Sequence, residues 1–399
     1  MKFTNRDKGI FSIFAILVVG FQVFKWEFDP LLLVVFMAIG LGMAILASEK
    51  AVGGMELLGK KLGLTPYVSG VLSSLASNSP ELVIGGFSIL AGQVEFAIAF
   101  IIIATGFNIL MLGILVILGN LRRDKSIVIP EEVLQIEVPI VRVAIVIVGS
   151  IFVYGIVLFG LEIFGLAAGE ELPVPHLPYE AAAIMVIVYL FYLYFILRHN
   201  LKNKVQRLEQ KDEAHYEPVI SRNFLIIVLV VAFAAIFFAG EMISSSVELF
   251  LEQSHEVGIT LNEFQLAFVI GAAASIPEHA IALLAVRHEG GVELGLGNLI
   301  AGSMQNLLLM TGLVALFSFI GSLLRIEGNS PLGIPLVHYI AGEIPMPFLL
   351  VQYGFAWLLL FLIKSSMTDD RRLDIYEGFT ITVAQLFVFI IFLRGILGL

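Results

Sequence analysis

The sequence predicts an all-α, polytopic membrane protein of about eleven transmembrane helices: one extra N-terminal helix followed by two inverted five-helix repeats. Of its 399 residues, 59% are apolar and only 14% are charged, and the mean hydropathy is +0.98. Soluble domains carry a charged share nearer one quarter. Several segments of about 20 residues are almost free of charge, which is the length a helix needs to cross the hydrocarbon core. Strands of a membrane barrel would be shorter and would alternate in polarity, so a helical bundle is predicted.

Eleven apolar spans follow one another along the chain: 9–24, 30–50, 66–91, 94–120, 138–166, 179–198, 223–250, 262–286, 292–323, 345–363 and 374–397. The first span lacks a small-residue cleavage site, so we interpret it as a retained helix rather than a signal peptide. Cysteine is absent, which excludes disulfides and thiolate metal sites. The net charge of −10 does not indicate the basic surface that nucleic-acid binding requires.

Lysine and arginine fall unequally on the loops between these spans. Alternate loops hold 19 of them, whereas the intervening loops hold only Lys25, Arg325 and Arg394. Basic residues concentrate on the cytoplasmic side of membrane proteins. The sequence therefore predicts a cytoplasmic N-terminus and an external C-terminus.

An internal repeat relates the two halves of the chain. Three matches carry it, at offsets of 192, 197 and 198 residues: 47–58 with 239–250, Pro80-Glu81 with Pro277-Glu278, and Asn108 with Asn306. Five spans per repeat, an odd number, make the two copies enter the membrane in opposite directions. We predict four segments: an extra helix and loop at 1–29, the first repeat at 30–198, a cytoplasmic linker at 199–222 and the second repeat at 223–399.

Each repeat places a proline and then a glutamate inside an apolar span. The two motifs are Ser77-Asn78-Ser79-Pro80-Glu81 and Ser275-Ile276-Pro277-Glu278. Proline has no N–H and opens a helix, which should free the carbonyls of Ala76 and Ala273. An ionisable residue at this depth is costly and marks a functional site.

The candidate ligands at these two helix breaks are all oxygen donors. They are Glu81, Glu278, Ser77, Asn78, Ser275, Asn108, Asn306 and the carbonyl groups of Ala76 and Ala273. Two carboxylates with several neutral oxygens suit Ca²⁺ better than a transition metal. One divalent cation, two Na⁺ or two protons would neutralise the pair of glutamates, which favours coupled antiport over leak.

Each candidate residue has a structural interpretation beside the functional one. The glutamates could pair with neighbours to fix packing, the asparagines could bond between helices, and the serines could bond back to their own helix. Glu49 and Glu241, which match in the repeat, could gate ion entry or extend from the ends of their spans into water. His279 beside Glu278 could couple protons or be a packed, neutral histidine.

Other functions are less well supported by the sequence. An intramembrane hydrolase would need aspartates or a metal box, and Glu278-His279 lacks the HExxH spacing. A cation channel would share the oxygen ligands but not the need for a counter-ion. We therefore predict a protein that is no enzyme and has no cofactor, no nucleic-acid partner and no obligate protein partner, and whose partners are the lipid bilayer and the transported ions.

The motifs resemble those of a known family. NSPELV followed by ATGFNILMLG, and SIPEHAIAL followed by GNLIAGSMQNLLL, resemble the two alpha-repeats of the calcium/cation antiporter superfamily. The resemblance implies that Glu81 and Glu278 are the central ligands. It also implies that the spans with Glu49 and Glu241 are long sliding helices that gate access.

The chain mixes two branches of that superfamily. Proline before each glutamate, and Gly297-Asn298, resemble the sodium/calcium exchangers, whereas Asn78 and Glu278-His279-Ala280 resemble the cation/proton exchangers. Ala104, Gly302 and Ala274 stand where sodium-coupled members carry hydroxyl ligands. The resemblance thus favours Ca²⁺/H⁺ exchange, with Na⁺/Ca²⁺ exchange as the alternative. The sequence contains no eukaryotic regulatory domain, so we expect a prokaryotic cell membrane.

Overall fold

A computed structural model gives the architecture of the chain. It describes residues 5–64, 66–123, 126–129, 131–164, 175–208, 221–254, 262–276, 279, 283, 291–340, 344–369 and 371–397. Within these residues, nine helices are long and apolar enough to cross a bilayer. The predicted all-helical membrane fold is confirmed.

Among its described residues, the first half of the chain contains seven helices. They are α1 (Asn5–Phe24, followed by a 3₁₀ turn at Lys25–Glu27), α2 (Pro30–Leu62), α3 (Pro66–Ser77), α4 (Ser79–Leu90), α5 (Val94–Arg123), α6 (Glu131–Ile163) and α7 (Tyr179–Leu208). Two of these helices continue ten residues or more past their predicted ends. Helix α2 continues twelve residues past the predicted end of its span at 50, because it packs along α8 over its length. Helix α7 enters the predicted linker, of which 209–220 lie outside the described residues.

The second half repeats the pattern. Its helices are α8 (Arg222–Ser254), α9 (Glu263–Ala274), α10 (Gly291–Met304), a π-helical turn (Gln305–Met310), α11 (Thr311–Leu323), α12 (Phe348–Thr368) and α13 (Ile375–Leu397). The π-helical turn joins α10 and α11 into one long rod. Much of the predicted span 262–286 beyond α9 lies outside the described residues.

Helix packing follows the repeat. Helices α2 and α8 pack against each other, as do α6 and α12. Helix α5 packs on α13 in the way that α11 packs on α7, and α5 packs on α9 in the way that α10 packs on α3. These contacts are related in pairs by the repeat, as expected for two copies of one five-helix unit.

Short strands between the helices obey the same symmetry. Strand β1 (Ile127–Val128) pairs antiparallel with β6 (Arg372–Leu373), and β2 (His176–Leu177) pairs with β3 (Ile334–Pro335). In the first pair a strand after α5 meets one before α13, and in the second a strand after α11 meets one before α7. A third pair, β4 (His338–Ile340) with β5 (Ile344–Met346), is a local hairpin.

Gly240 lies where α8 crosses α4. A Cβ atom at this position would be 2.5 Å from Val83 Cγ1 and 3.2 Å from the Ile84 backbone nitrogen. We therefore expect Gly240→Ala to destabilise the protein by about 1–3 kcal/mol through overpacking. The midpoint of thermal unfolding in detergent measures the effect.

Gly42 on α2 provides the matched control. A Cβ atom there would meet nothing within 4 Å. Alanine is better than glycine inside a helix by up to about 1 kcal/mol, so Gly42→Ala should leave the midpoint unchanged or raise it. Equal midpoints for the two variants would contradict close packing at Gly240.

Candidate functional site

The first site motif interrupts a membrane helix at Asn78. Helix α3 ends at Ser77 and α4 begins at Ser79, with Asn78 at φ −86° and ψ 0° and proline in the first turn of α4. The Asn78 N–H donates to Ser74 O at 3.0 Å, and the Leu82 N–H donates to Asn78 O at 3.4 Å. The N–H and carbonyl groups of Asn78 thus keep their helical hydrogen bonds across the bend, and the break lies two residues before Pro80.

The second motif breaks at the equivalent residue. Ser275, 197 residues after Asn78, follows the end of α9 with φ −77° and ψ −5°. Its N–H donates to Gly271 O at 3.3 Å, and the His279 N–H donates to Ser275 O at 3.2 Å. These two hydrogen bonds match those of the first motif at the same offset. The repeat therefore extends to the backbone geometry of the break.

Glu81 lies in the first turn of α4 and its side chain is 0% exposed. Pro277 and Glu278 lie outside the described residues, so the predicted pairing of Glu81 with Glu278 stays a prediction. Among the described residues, no group of three or more His, Cys, Asp or Glu side chains could hold a metal ion.

Gln305, which the sequence analysis did not select, connects the second repeat to the first break. Its Oε1 atom accepts hydrogen bonds from Asn78 Nδ2 at 2.8 Å and from Ser74 Oγ at 3.1 Å. Its Nε2 atom donates to Val71 O at 3.2 Å. Asn78 Nδ2 also lies 3.4 Å from Gly302 O. The only sequence signal for Gln305 was a fully polar side chain within an apolar span.

The two repeat-related asparagines are both buried and lie on α5 and on the π-helical turn. Asn108 Oδ1 is 3.1 Å from His279 Nε2, which makes His279 a buried partner of the site. Neither side-chain atom of Asn306 has a hydrogen-bond partner among the described residues. π-Helical turns occur often at functional sites because they redirect side chains. Asn306 therefore presents an uncommitted amide in the interior of the bundle.

The serine hydroxyls and the freed carbonyls are engaged locally. Ser77 Oγ donates to Ser74 O and Ser275 Oγ to Gly271 O, each at 2.9 Å. Ser79 Oγ donates to Ala76 O at 2.7 Å, which occupies one lone pair of the carbonyl that Pro80 releases. The Ser275 N–H also turns towards Ala273 O. These oxygens keep further lone pairs with which a cation could interact.

Glu49 and Glu241 hold equivalent positions in α2 and α8 but have different surroundings. Glu49 is exposed. Glu241 accepts hydrogen bonds from Gln22 Nε2 and Ser245 Oγ, and Lys25 Nζ lies 3.7 Å from its carboxylate. Both glutamates lie 13 residues before the C-terminal ends of 33-residue helices, which continue past the spans drawn from the sequence. Their part in gating or ion entry stays a prediction.

Comparisons with known proteins agree with this geometry. The family described as "Sodium/calcium exchanger protein" matches residues 32–198 and 224–395. The fold resembles the crystal structure of the H⁺/Ca²⁺ exchanger CAX with a TM-score of 0.66 at 14% identity, over 99% of this chain and 95% of that one. It also resembles the sodium-calcium exchanger NCX_Mj soaked with Na⁺ and Sr²⁺, with a TM-score of 0.55 at 15% identity, over 91% of this chain and 99% of that one. A search of curated proteins gives no match.

The chain contains two helix breaks with matching hydrogen bonds, a buried glutamate after the first break, and an inverted repeat of packed helices. The family match covers most of the chain. The chain belongs to the sodium/calcium exchanger protein family, within the calcium/cation antiporter superfamily.

Proposed function

We propose that this protein is a secondary antiporter that exchanges Ca²⁺, or a related divalent cation, for H⁺ by alternating access. The observation that carries the proposal is the Glu81 carboxyl group. It is fully buried one turn after a break in a membrane helix. A charge at such a position is expensive unless a cation or proton neutralises it.

The proposed ligand set combines two carboxylates with neutral oxygens. Glu81 and Glu278 supply the charge. Asn78 Oδ1 and Asn306 Oδ1 have no hydrogen-bond partner among the described residues, which supports the proposal that they complete the shell. Further oxygens come from Asn108, Ser77 and Ser275 and from the carbonyls of Ala76 and Ala273. Such a set matches the hard-oxygen preference of Ca²⁺, which takes 6–8 oxygens.

Alternating access would follow from the inverted repeat. We propose that α2 and α8 slide against the rest of the bundle and that Glu49 and Glu241 attract or admit the ion on the two sides. The positive-inside distribution supports an N-terminus in the cytoplasm and a C-terminus on the outside. The membrane we propose is that of a prokaryotic cell.

The absence of hydroxyl groups at three positions favours protons over Na⁺ as the counter-ion. Ala104 and Ala274 are buried and offer no side-chain oxygen. Gly302 has only its carbonyl, which lies 3.4 Å from Asn78 Nδ2. With fewer oxygens, the site is poorer for several Na⁺ ions, whereas carboxylates alone can take up protons.

Proteoliposomes test the counter-ion directly. Calcium uptake should follow an imposed pH gradient at constant membrane potential and should not respond to a Na⁺ gradient. Uptake that needs Na⁺ and ignores pH would instead establish Na⁺/Ca²⁺ exchange. Flux in single-channel steps without a counter-ion would reject antiport.

A further inference from the structure

Glu137 is a second buried acid, outside both site motifs. It lies on α6, at the start of the membrane-spanning stretch Glu137–Leu161, and is 0% exposed. Tyr192 on α7 donates a hydrogen bond to Glu137 Oε1 at 2.9 Å. A buried acid in a membrane-spanning segment is energetically costly unless its charge is used or compensated. Glu137 is therefore a functional candidate.

Helix α7 connects the surroundings of Glu137 with those of the first helix break. Tyr189 lies one turn before Tyr192 on α7, with ring centroids 5.5 Å apart. Its hydroxyl is buried and has no hydrogen-bond partner among the described residues, and α7 packs against the π-helical turn that begins with Gln305. The Gln305 side chain in turn accepts a hydrogen bond from Asn78 at 2.8 Å. Glu137 and the proposed cation site therefore belong to elements that are in contact, in an interior of low dielectric constant where charges interact strongly.

Other titratable groups lie on the remaining elements packed against α6. Helix α12 runs antiparallel to α6, as glycine contacts show: Gly149 with Trp357 and Gly155 with Leu350. This direction brings Lys364, half-buried on α12, towards the Glu137 end, with Tyr353 buried further along. Glu293 stands at the start of α10 and His176 on β2, and the π-helical turn carries no charged residue.

We propose that Glu137 is a proton-binding site of the exchange cycle, electrostatically coupled to the cation site across the contact of α7 with the π-helical turn. Arrival of Ca²⁺ at the broken helices favours loss of the proton from the Glu137 carboxyl group, and departure of Ca²⁺ favours its return. By linkage, a proton on Glu137 weakens Ca²⁺ binding by the same factor. This inference rests on the proposed proton coupling and adds a second residue that carries it.

Glu137→Gln tests the proposal, because glutamine keeps an oxygen for Tyr192 but cannot ionise. Two rates are compared in proteoliposomes: calcium uptake driven by a pH gradient, and exchange of ⁴⁵Ca²⁺ for Ca²⁺ without a gradient. We expect the variant to lose about tenfold in the first rate and to keep the second. Equal loss of both rates would indicate a purely structural residue and would overturn the proposal, as would no change in either.

Tyr192→Phe provides an independent readout, since it removes the hydrogen bond and keeps the acid. Loss of a donor to a carboxylate disfavours the ionised form, so the pH of half-maximal uptake should rise by about one unit. An unchanged pH profile would contradict proton binding at Glu137. The wild-type protein distinguishes failure of the proposed counter-ion from failure of the role of Glu137. If calcium uptake by the wild type responds to Na⁺ alone, the proposed counter-ion is rejected and this inference with it. If uptake by the wild type is driven by pH and the Glu137→Gln variant is unaffected, only the role of Glu137 is rejected.

Discussion

Replacing Glu81 with glutamine is expected to abolish calcium exchange. The amide matches the carboxylate in size but carries no charge, so a divalent cation would be held in a buried site with too little compensation. Removal of one partner from a buried charge pair costs about 3–5 kcal/mol, which corresponds to a loss of about 100-fold or more in affinity. Initial rates of ⁴⁵Ca²⁺ uptake in proteoliposomes measure the loss.

The Glu81→Gln protein should remain folded, because in the ion-free protein the substitution removes one of two like charges that the proposal brings together. Ca²⁺ should raise the unfolding midpoint of the wild type and leave that of the variant unchanged, since only a bound ligand stabilises the folded state. Glu180→Gln, at an exposed position in the first turn of α7, is the matched control and should transport normally. Near-normal exchange by Glu81→Gln would remove Glu81 from the site.

Replacing Gln305 with leucine should have the second-largest effect. Leucine is similar in size, but it leaves Asn78 Nδ2, Ser74 Oγ and Val71 O without the partners that Gln305 provides. Each unsatisfied buried group costs about 1–3 kcal/mol. Because Asn78 forms the hinge of the broken helix, we expect calcium affinity to fall by about 10-fold or more. Isothermal titration with Ca²⁺ measures it.

Gln385 on α13 offers a contrasting glutamine. It is buried, and its Nε2 atom has no hydrogen-bond partner among the described residues. Gln385→Leu removes an unsatisfied amide and should be neutral or stabilising. If Gln305→Leu bound Ca²⁺ as tightly as Gln385→Leu, Gln305 would not position the site.

The break at Asn78 was predictable from the sequence because proline acts locally. Pro80 cannot donate to Ala76 O, so the helix had to open near that point, and the repeat carried the same expectation to Ser275. The positions of Glu49 and Glu241 in the repeat were also visible. Charge and proline are strong local signals, and a duplication makes each of them appear twice.

The partners of these residues could not be predicted in the same way. Gln305 meets Asn78 across 227 residues, and Lys25 meets Glu241 from a segment outside the repeat. Such contacts depend on how helices pack, which hydropathy does not specify. Glu137 was missed because it lies at the edge of a span, where a charged residue ordinarily reaches water, yet packing of α7 buries it.

The most direct test of the account is the experimental structure of the protein with Sr²⁺ or Ca²⁺ bound. The account predicts a single ion between the Glu81 and Glu278 carboxylates, with oxygens at about 2.3–2.6 Å and Asn78 or Asn306 in the shell. Density for the ion at another place, or Glu278 directed away from Glu81 into lipid, would contradict it.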